Sequence, residues 1–173
     1  VPEFSPLAPK NRRLQAARLA PVLRGMASTD RAMVGHFSDH PAVLDFLSRE
    51  SLSRLAKKGT SCPDHFLRTK VRPMVLDVPP DTDWNATLQR LSTLHERYRA
   101  DYTKYYETHR DENSPPMRGA DPAIVLVPGV GMFSFGVDKK TARVAGEFYV
   151  NATNVMRGAE ALSRRWRSSH RNS

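Results

Sequence analysis

Asp121-Pro122-Ala123-Ile124-Val125-Leu126-Val127-Pro128-Gly129-Val130-Gly131-Met132-Phe133-Ser134-Phe135-Gly136 decides how the rest of the chain is read. Residues 123–127 are an unbroken apolar run rich in β-branched side chains, the pattern of a strand buried on both faces. Pro128 and the two glycines then reverse the chain, because proline cannot continue a central ladder and glycine accepts a tight turn. Residues 132–135 resume extended character, with Phe133 and Phe135 on one face and Ser134 on the other. From Lys139 the period lengthens: Ala142, Ala145, Gly146, Tyr149, Ala152, Thr153, Met156 and Ala159 fall on one helical face. The small residues among them let this helix lie close to the strands. A strand, hairpin and packed helix form one unit.

Working outward, the elements alternate. Residues 1–20 read as a proline-rich arm followed by a short helix that Pro21 ends or kinks. Residues 33–37 suit a short strand, and Ser38-Asp39-His40-Pro41 a helix start. Val43, Leu44, Leu47, Leu52 and Leu55 supply the buried face of one or two helices that stop at Gly59. Residues 74–78 form a strand that Pro79-Pro80 ends, and residues 84–108 a helix carrying Leu88, Leu91, Leu94, Tyr98, Tyr102 and Tyr105 at helical spacing. This alternation favours a layered α/β arrangement, with the domain over 21–163 and a basic tail over 164–173.

Composition narrows the function classes. No run approaches the roughly 20 apolar residues of a membrane helix. The single cysteine, Cys62, fits a reducing compartment, so a cytoplasmic setting is expected. The net charge of +9 is concentrated in the first helix and the final residues, with no aromatic residues interleaved for base stacking, which argues against nucleic acid.

The densest polar stretch is Gly59-Thr60-Ser61-Cys62-Pro63-Asp64-His65-Phe66-Leu67-Arg68-Thr69-Lys70. In one reading Thr60, Ser61 and the glycine amide cradle an anion while Arg68 and Lys70 supply charge, as a sugar phosphate requires. In the other, Thr60 and Ser61 satisfy a turn, and Arg68 and Lys70 point outward from a strand whose inward residues are Leu67 and Val71. Cys62 and His65 have the spacing of two metal ligands, or of a nucleophile and base, without the further ligands that a zinc site needs. His36 and His40 fall on different elements. His95 and His109 read as surface or hydrogen-bond-satisfied residues rather than functional ones, and Glu147 as the partner of Arg143 or Arg157.

The strand, hairpin and helix resemble the last strand pair and helix of the class II aldolase/adducin family. In its active members the resemblance implies a Gly-His-Gly turn whose histidine binds zinc; here Gly129-Val130-Gly131 puts valine in that place. Residues 59–73, 129–136, 148–152 and 155–160 together resemble the bifunctional rhamnulose-phosphate aldolase/short-chain dehydrogenase family. That resemblance covers about Leu19 to Ser163. It implies a zinc-dependent carbon–carbon lyase fused to an NAD-dependent dehydrogenase. The His-x-His and Gly-His-Gly elements are expected upstream and the dinucleotide turn downstream, so neither zinc nor NAD is expected in this chain. The expectation is a degenerate or partial copy, inactive alone. Its partners would be the rest of that polypeptide, a second copy, or a small sugar phosphate. The non-catalytic alternative is a scaffold or assembly module. After Ser163 the family likeness ends, which fits either a frameshift near Arg164 or a native basic tail.

Overall fold

A computed structural model describes residues 5–60 and 62–169, with side-chain environments through residue 163. Among them run α1 (Pro9–Met26), β1 (Val34–Ser38), α2 (Pro41–Leu47), α3 (Leu52–Ala56), α4 (Pro63–Thr69), β2 (Met74–Val75), α5 (Trp84–His109), β3 (Ile124–Val127), β4 (Gly131–Gly136) and α6 (Lys139–Ser169). The four strands form one sheet in the order β1-β4-β3-β2. β4 is antiparallel to both neighbours, and β2 runs parallel to β3, joined to it through α5. The chain is a layered α/β fold with a small mixed sheet and six helices among the described residues.

Strand alternation sorts the core into two layers. Val125, Val127, Phe133 and Phe135 point to one side, where they meet Leu19 and Leu23 of α1 and Leu91 and Tyr98 of α5. Ile124, Leu126 and Met132 point to the other, against Val43 and Phe46 of α2, Leu52 of α3 and Tyr149 of α6. All of β3 and β4 is buried, as the apolar run predicts. Gly146 lets α6 close on the sheet: a Cβ there would lie 2.8 Å from Ser134 Oγ.

Several expectations are corrected. The first helix does not stop at Pro21 but runs through it to Met26. Pro21 is exposed, while Ala16, Leu19 and Leu23 are buried on both sides of it; that burial offsets the backbone bond lost at the proline. Leu14, on the other side of the helix, is 61% exposed. Within the expected arm, α1 packs Ala16 and Leu19 into the core, and Leu7 N donates to Gly129 O at 2.9 Å; residues 1–4 lie outside the described residues. At α2 the cap is neither Ser38 nor Asp39 but His40, whose Nδ1 accepts from Ala42 N at 3.2 Å. Strand β2 is two residues long rather than five. On α6, Ala159 is exposed and Glu160 buried, a helical step the apolar pattern misplaces. The helix continues through Ser169, past the expected start of a tail at 164, and residues 170–173 lie outside the described residues.

Candidate functional site

Within the segment 59–70, residues Pro63–Thr69 form the helix α4 where the plainer reading expects a strand. Cys62 is extended, Pro63 occupies the first helical position, Asp64 sits in the first turn and Arg68 in the last, an arrangement that suits both the fixed proline φ and the helix dipole. Leu67, expected inward, is 79% exposed, and Arg68 is also exposed. Thr60 Oγ1 donates to Cys62 O at 3.3 Å, a local turn contact. Ser61 lies outside the described residues. No hydrogen bond or ion pair joins Thr60, Arg68 and Lys70 among the described residues.

Lys70 leaves the helix with φ 61°, a left-handed conformation uncommon for a residue with a Cβ. Its side chain turns inward. Nζ donates to Gly119 O at 2.8 Å and lies 4.2 Å from the centre of the Tyr102 ring. Burial is the main influence on this amine and pulls it from 10.5 down to about 8, against the opposing pull of Asp121 and Asp30.

Lys70 thereby joins a polar cluster that spacing in the sequence does not reveal. Asp121, buried just before β3, accepts from Thr29 N at 2.7 Å and Asp30 N at 3.2 Å through Oδ2. Its Oδ1 meets His95 Nε2 at 3.1 Å and the Arg99 guanidinium. Asp30 receives Arg99 through both oxygens, at 3.0 and 3.1 Å, and Ala120 N at 2.8 Å. The Arg99 hydrogen bond, ahead of the one from Ala120, holds the Asp30 carboxyl below its ordinary range, and Arg99 is raised in turn by Asp30. Gly119, at φ 98°, is needed because a Cβ would sit 2.8 Å from Asp30 Oδ2. His95 is a satisfied histidine rather than a surface one, and ties α5 to the residues entering β3. Both carboxylates are fully engaged, so the cluster is built to latch the α1–β1 turn, α5 and the residues entering β3.

The two weak metal candidates sit at the start of α4. His65 stacks on Phe148 of α6, with centroids 4.5 Å apart and rings inclined by 16°, and its Nδ1 is buried without a hydrogen-bond partner. Cys62 is half-buried at the N-cap position. Among the described residues no group of three or more His, Cys, Asp or Glu side chains converges to hold a metal ion. The hairpin turn does not fit zinc either. Val130 offers no donor atom, is 1% exposed and belongs to the core. Gly129 and Gly131 serve packing: a Cβ on the first would meet Pro80 Cγ at 2.8 Å, and on the second the Phe37 ring and Ser38 O, both at 2.8 Å. Two glycines with Val130 between them also lack the third glycine that a dinucleotide-binding turn requires. Neither group fits the residues present, and no catalytic step through either is derived.

At the far end of the same sheet face, Glu160 of α6 is buried between Arg49 Nη1 and Arg54 Nη2, each at 3.0 Å. Arg157 Nε meets Asp45 at 2.7 Å. A cleft of about 880 Å³ opens beside them between α3 and α6, lined by Glu50, Ser51, Arg54, Lys58 and Met156 among others. As expected, Glu147 pairs with Arg143 on the outer face of α6.

With this geometry in hand, the chain belongs to the class II aldolase second-domain family, whose model matches residues 14–171. It is 31% identical over 160 residues to the uncharacterized oxidoreductase YuxG of Bacillus subtilis (strain 168). That alignment takes in 92% of this chain but only 23% of the relative. No solved structure matches the chain significantly. No helix among the described residues is long and apolar enough to cross a membrane.

Proposed function

We propose that this chain is the second aldolase domain of a bifunctional enzyme joining rhamnulose-1-phosphate aldolase to lactaldehyde dehydrogenase, and that it has no activity of its own. The observation that carries the second part is Val130, a buried core residue at the turn where the resembling family places its zinc-binding histidine. The first part is supported by the aldolase family model together with a relative that is named an oxidoreductase and is about four times as long as the matched stretch. Zinc-assisted retro-aldol cleavage and NAD-dependent oxidation would then belong to other parts of the polypeptide. This domain would stabilise their arrangement in a cytoplasmic enzyme. Its partners would be those other parts or a second copy of itself.

The test is to assay the purified 173 residues and the full polypeptide encoded around them for zinc-dependent cleavage of the ketose phosphate and for lactaldehyde oxidation. Activity in the long form alone supports the reading; cleavage by the short form overturns it. Sugar-phosphate binding without turnover is the second reading. It is favoured by the exposed cation of Arg68 in the last turn of α4, with Lys70 committed to Gly119. A rise in thermal midpoint with a ketose phosphate, lost in Arg68→Ala, would support it.

A further inference from the structure

Hydrogen-bond alternation settles which way the amides of each strand point. Phe135 N donates to Ala123 O at 2.8 Å, so Phe135 and Phe133 turn toward β3. Met132, Ser134 and Gly136 consequently turn toward β1, where they face Ser38, His36 and Val34. By the same alternation Gly35 and Phe37 direct their N–H and C=O groups away from β4. They face off the end of the sheet, because β1 is its last strand among the described residues.

This open row is short and bounded. Met33 would continue it, but its N–H donates to Ser28 Oγ at 3.1 Å and its carbonyl accepts from Arg24 Nε at 3.0 Å. In the other direction the chain turns away into α2 at Pro41. The usual devices that blunt an edge are missing from β1, which contains neither a charged residue nor a proline. At the opposite edge β2 has only two residues and is followed by Pro79-Pro80. Val34, at the open edge, is 38% exposed, and Val137, beyond its cross-strand partner Gly136, is 48% exposed.

We propose that β1 pairs antiparallel with β1 of a second copy of this chain, about a twofold axis passing beside His36. Gly35 of one protomer exchanges both hydrogen bonds with Phe37 of its partner, and the symmetry repeats the exchange. All four outward groups of each copy are then satisfied, because the two open residues flank His36 symmetrically. The same register sets Asp39, already paired with Arg12 of its own copy at 3.1 Å, opposite Met33 of the other copy and within diagonal reach of Arg31, so a second cation approaches the carboxylate at both ends of the ladder. An unrelated extended segment would satisfy the amides without that charge match. This contact is independent of the aldolase reading, since it involves no residue assigned to chemistry.

Sedimentation velocity on the 173-residue chain, from low to high micromolar, tests the proposal, and a monomer–dimer equilibrium is expected. Amide hydrogen exchange on the unmodified chain locates the contact. The Gly35 and Phe37 amides should slow as the dimer forms, while those of Val34, His36 and Ser38 are already protected in the monomer. His36→Glu places two carboxylates face to face at the axis and should weaken association several-fold with the thermal midpoint of the monomer retained. A monomer at every concentration overturns the proposal, as does a dimer in which Gly35 and Phe37 exchange at the monomer's rate. Protection of these amides only within a longer polypeptide would also overturn it, by assigning the edge to another domain.

Discussion

Residues 121–136 and residues 59–70 are both short and both looked like candidate sites, yet they are built in opposite ways. The first is buried along its whole length and ties together α1, α5, α6 and every other strand. The second centres on a seven-residue helix that exposes Asp64, Leu67 and Arg68, after which Lys70 reaches back to Gly119. Burial on two faces makes a segment's sequence legible, because each side chain answers to a fixed neighbour. A polar segment answers to whatever lies beside it after folding.

If that contrast holds, substitutions should sort by region. The largest effect is expected for Asp121→Ala, which leaves two backbone amides, Arg99 and His95 without their shared acceptor. Breaking a buried, hydrogen-bonded charge of this kind costs about 3–5 kcal/mol, readable as a lower urea midpoint with an unchanged slope. Gly136→Ala comes next: its Cβ would lie 2.5 Å from the backbone nitrogen of Ala142, so the start of α6 must move away from β4. A cost of about 3 kcal/mol is expected from overpacking against backbone.

Val130→His places at the turn the side chain that the family resemblance implies for active members, and so sharpens the comparison. It should destabilise by about 2 kcal/mol, since an imidazole replaces a valine in an apolar core without a partner, and it should bind no stoichiometric zinc by metal analysis. In the other region Arg68→Ala and Leu67→Ala should each change stability by less than about 0.5 kcal/mol, as exposed positions do. A large loss at either would mean that α4 is held more firmly than its exposure implies.

Lys70 is the point where the regions meet, and its signature is a pH slope. Its folded value of about 8 lies below the ordinary 10.5, so between those values the unfolded chain holds more protons than the folded one. The contribution of this amine to stability therefore rises with pH across that window. Urea midpoints measured for the wild type and Lys70→Met should diverge there, with the flatter profile belonging to the variant.

Much of the architecture was legible beforehand. The run 123–127, the glycine turn and the small-residue face of 139–156 correspond to β3, the hairpin and α6, because strand and helix periods are local properties of the chain. The family resemblance drawn from the same residues led to the class II aldolase second domain. The run through Pro21 was hidden because a proline penalty is local while the burial of Leu19 and Leu23 that offsets it is tertiary. The α4 helix was hidden for a related reason. Seven residues are too few for a helical period to stand out against a strand alternation, and only the Cys62-Pro63-Asp64 start carries the signal.

Local sequence specified the two-faced strand, the tight turn and the close-packed helix, since each depends on side chains only a few positions apart. Tertiary structure alone decided that Asp30, His95, Arg99 and Asp121 form one latch, that Lys70 turns inward, and that the sheet ends at Gly35 and Phe37. Those contacts join residues as many as 91 positions apart, as between Asp30 N and Asp121, and no local pattern records them. Folding brings such groups together because each buried polar atom must find a partner somewhere in the chain, and the sheet determines which one lies within reach.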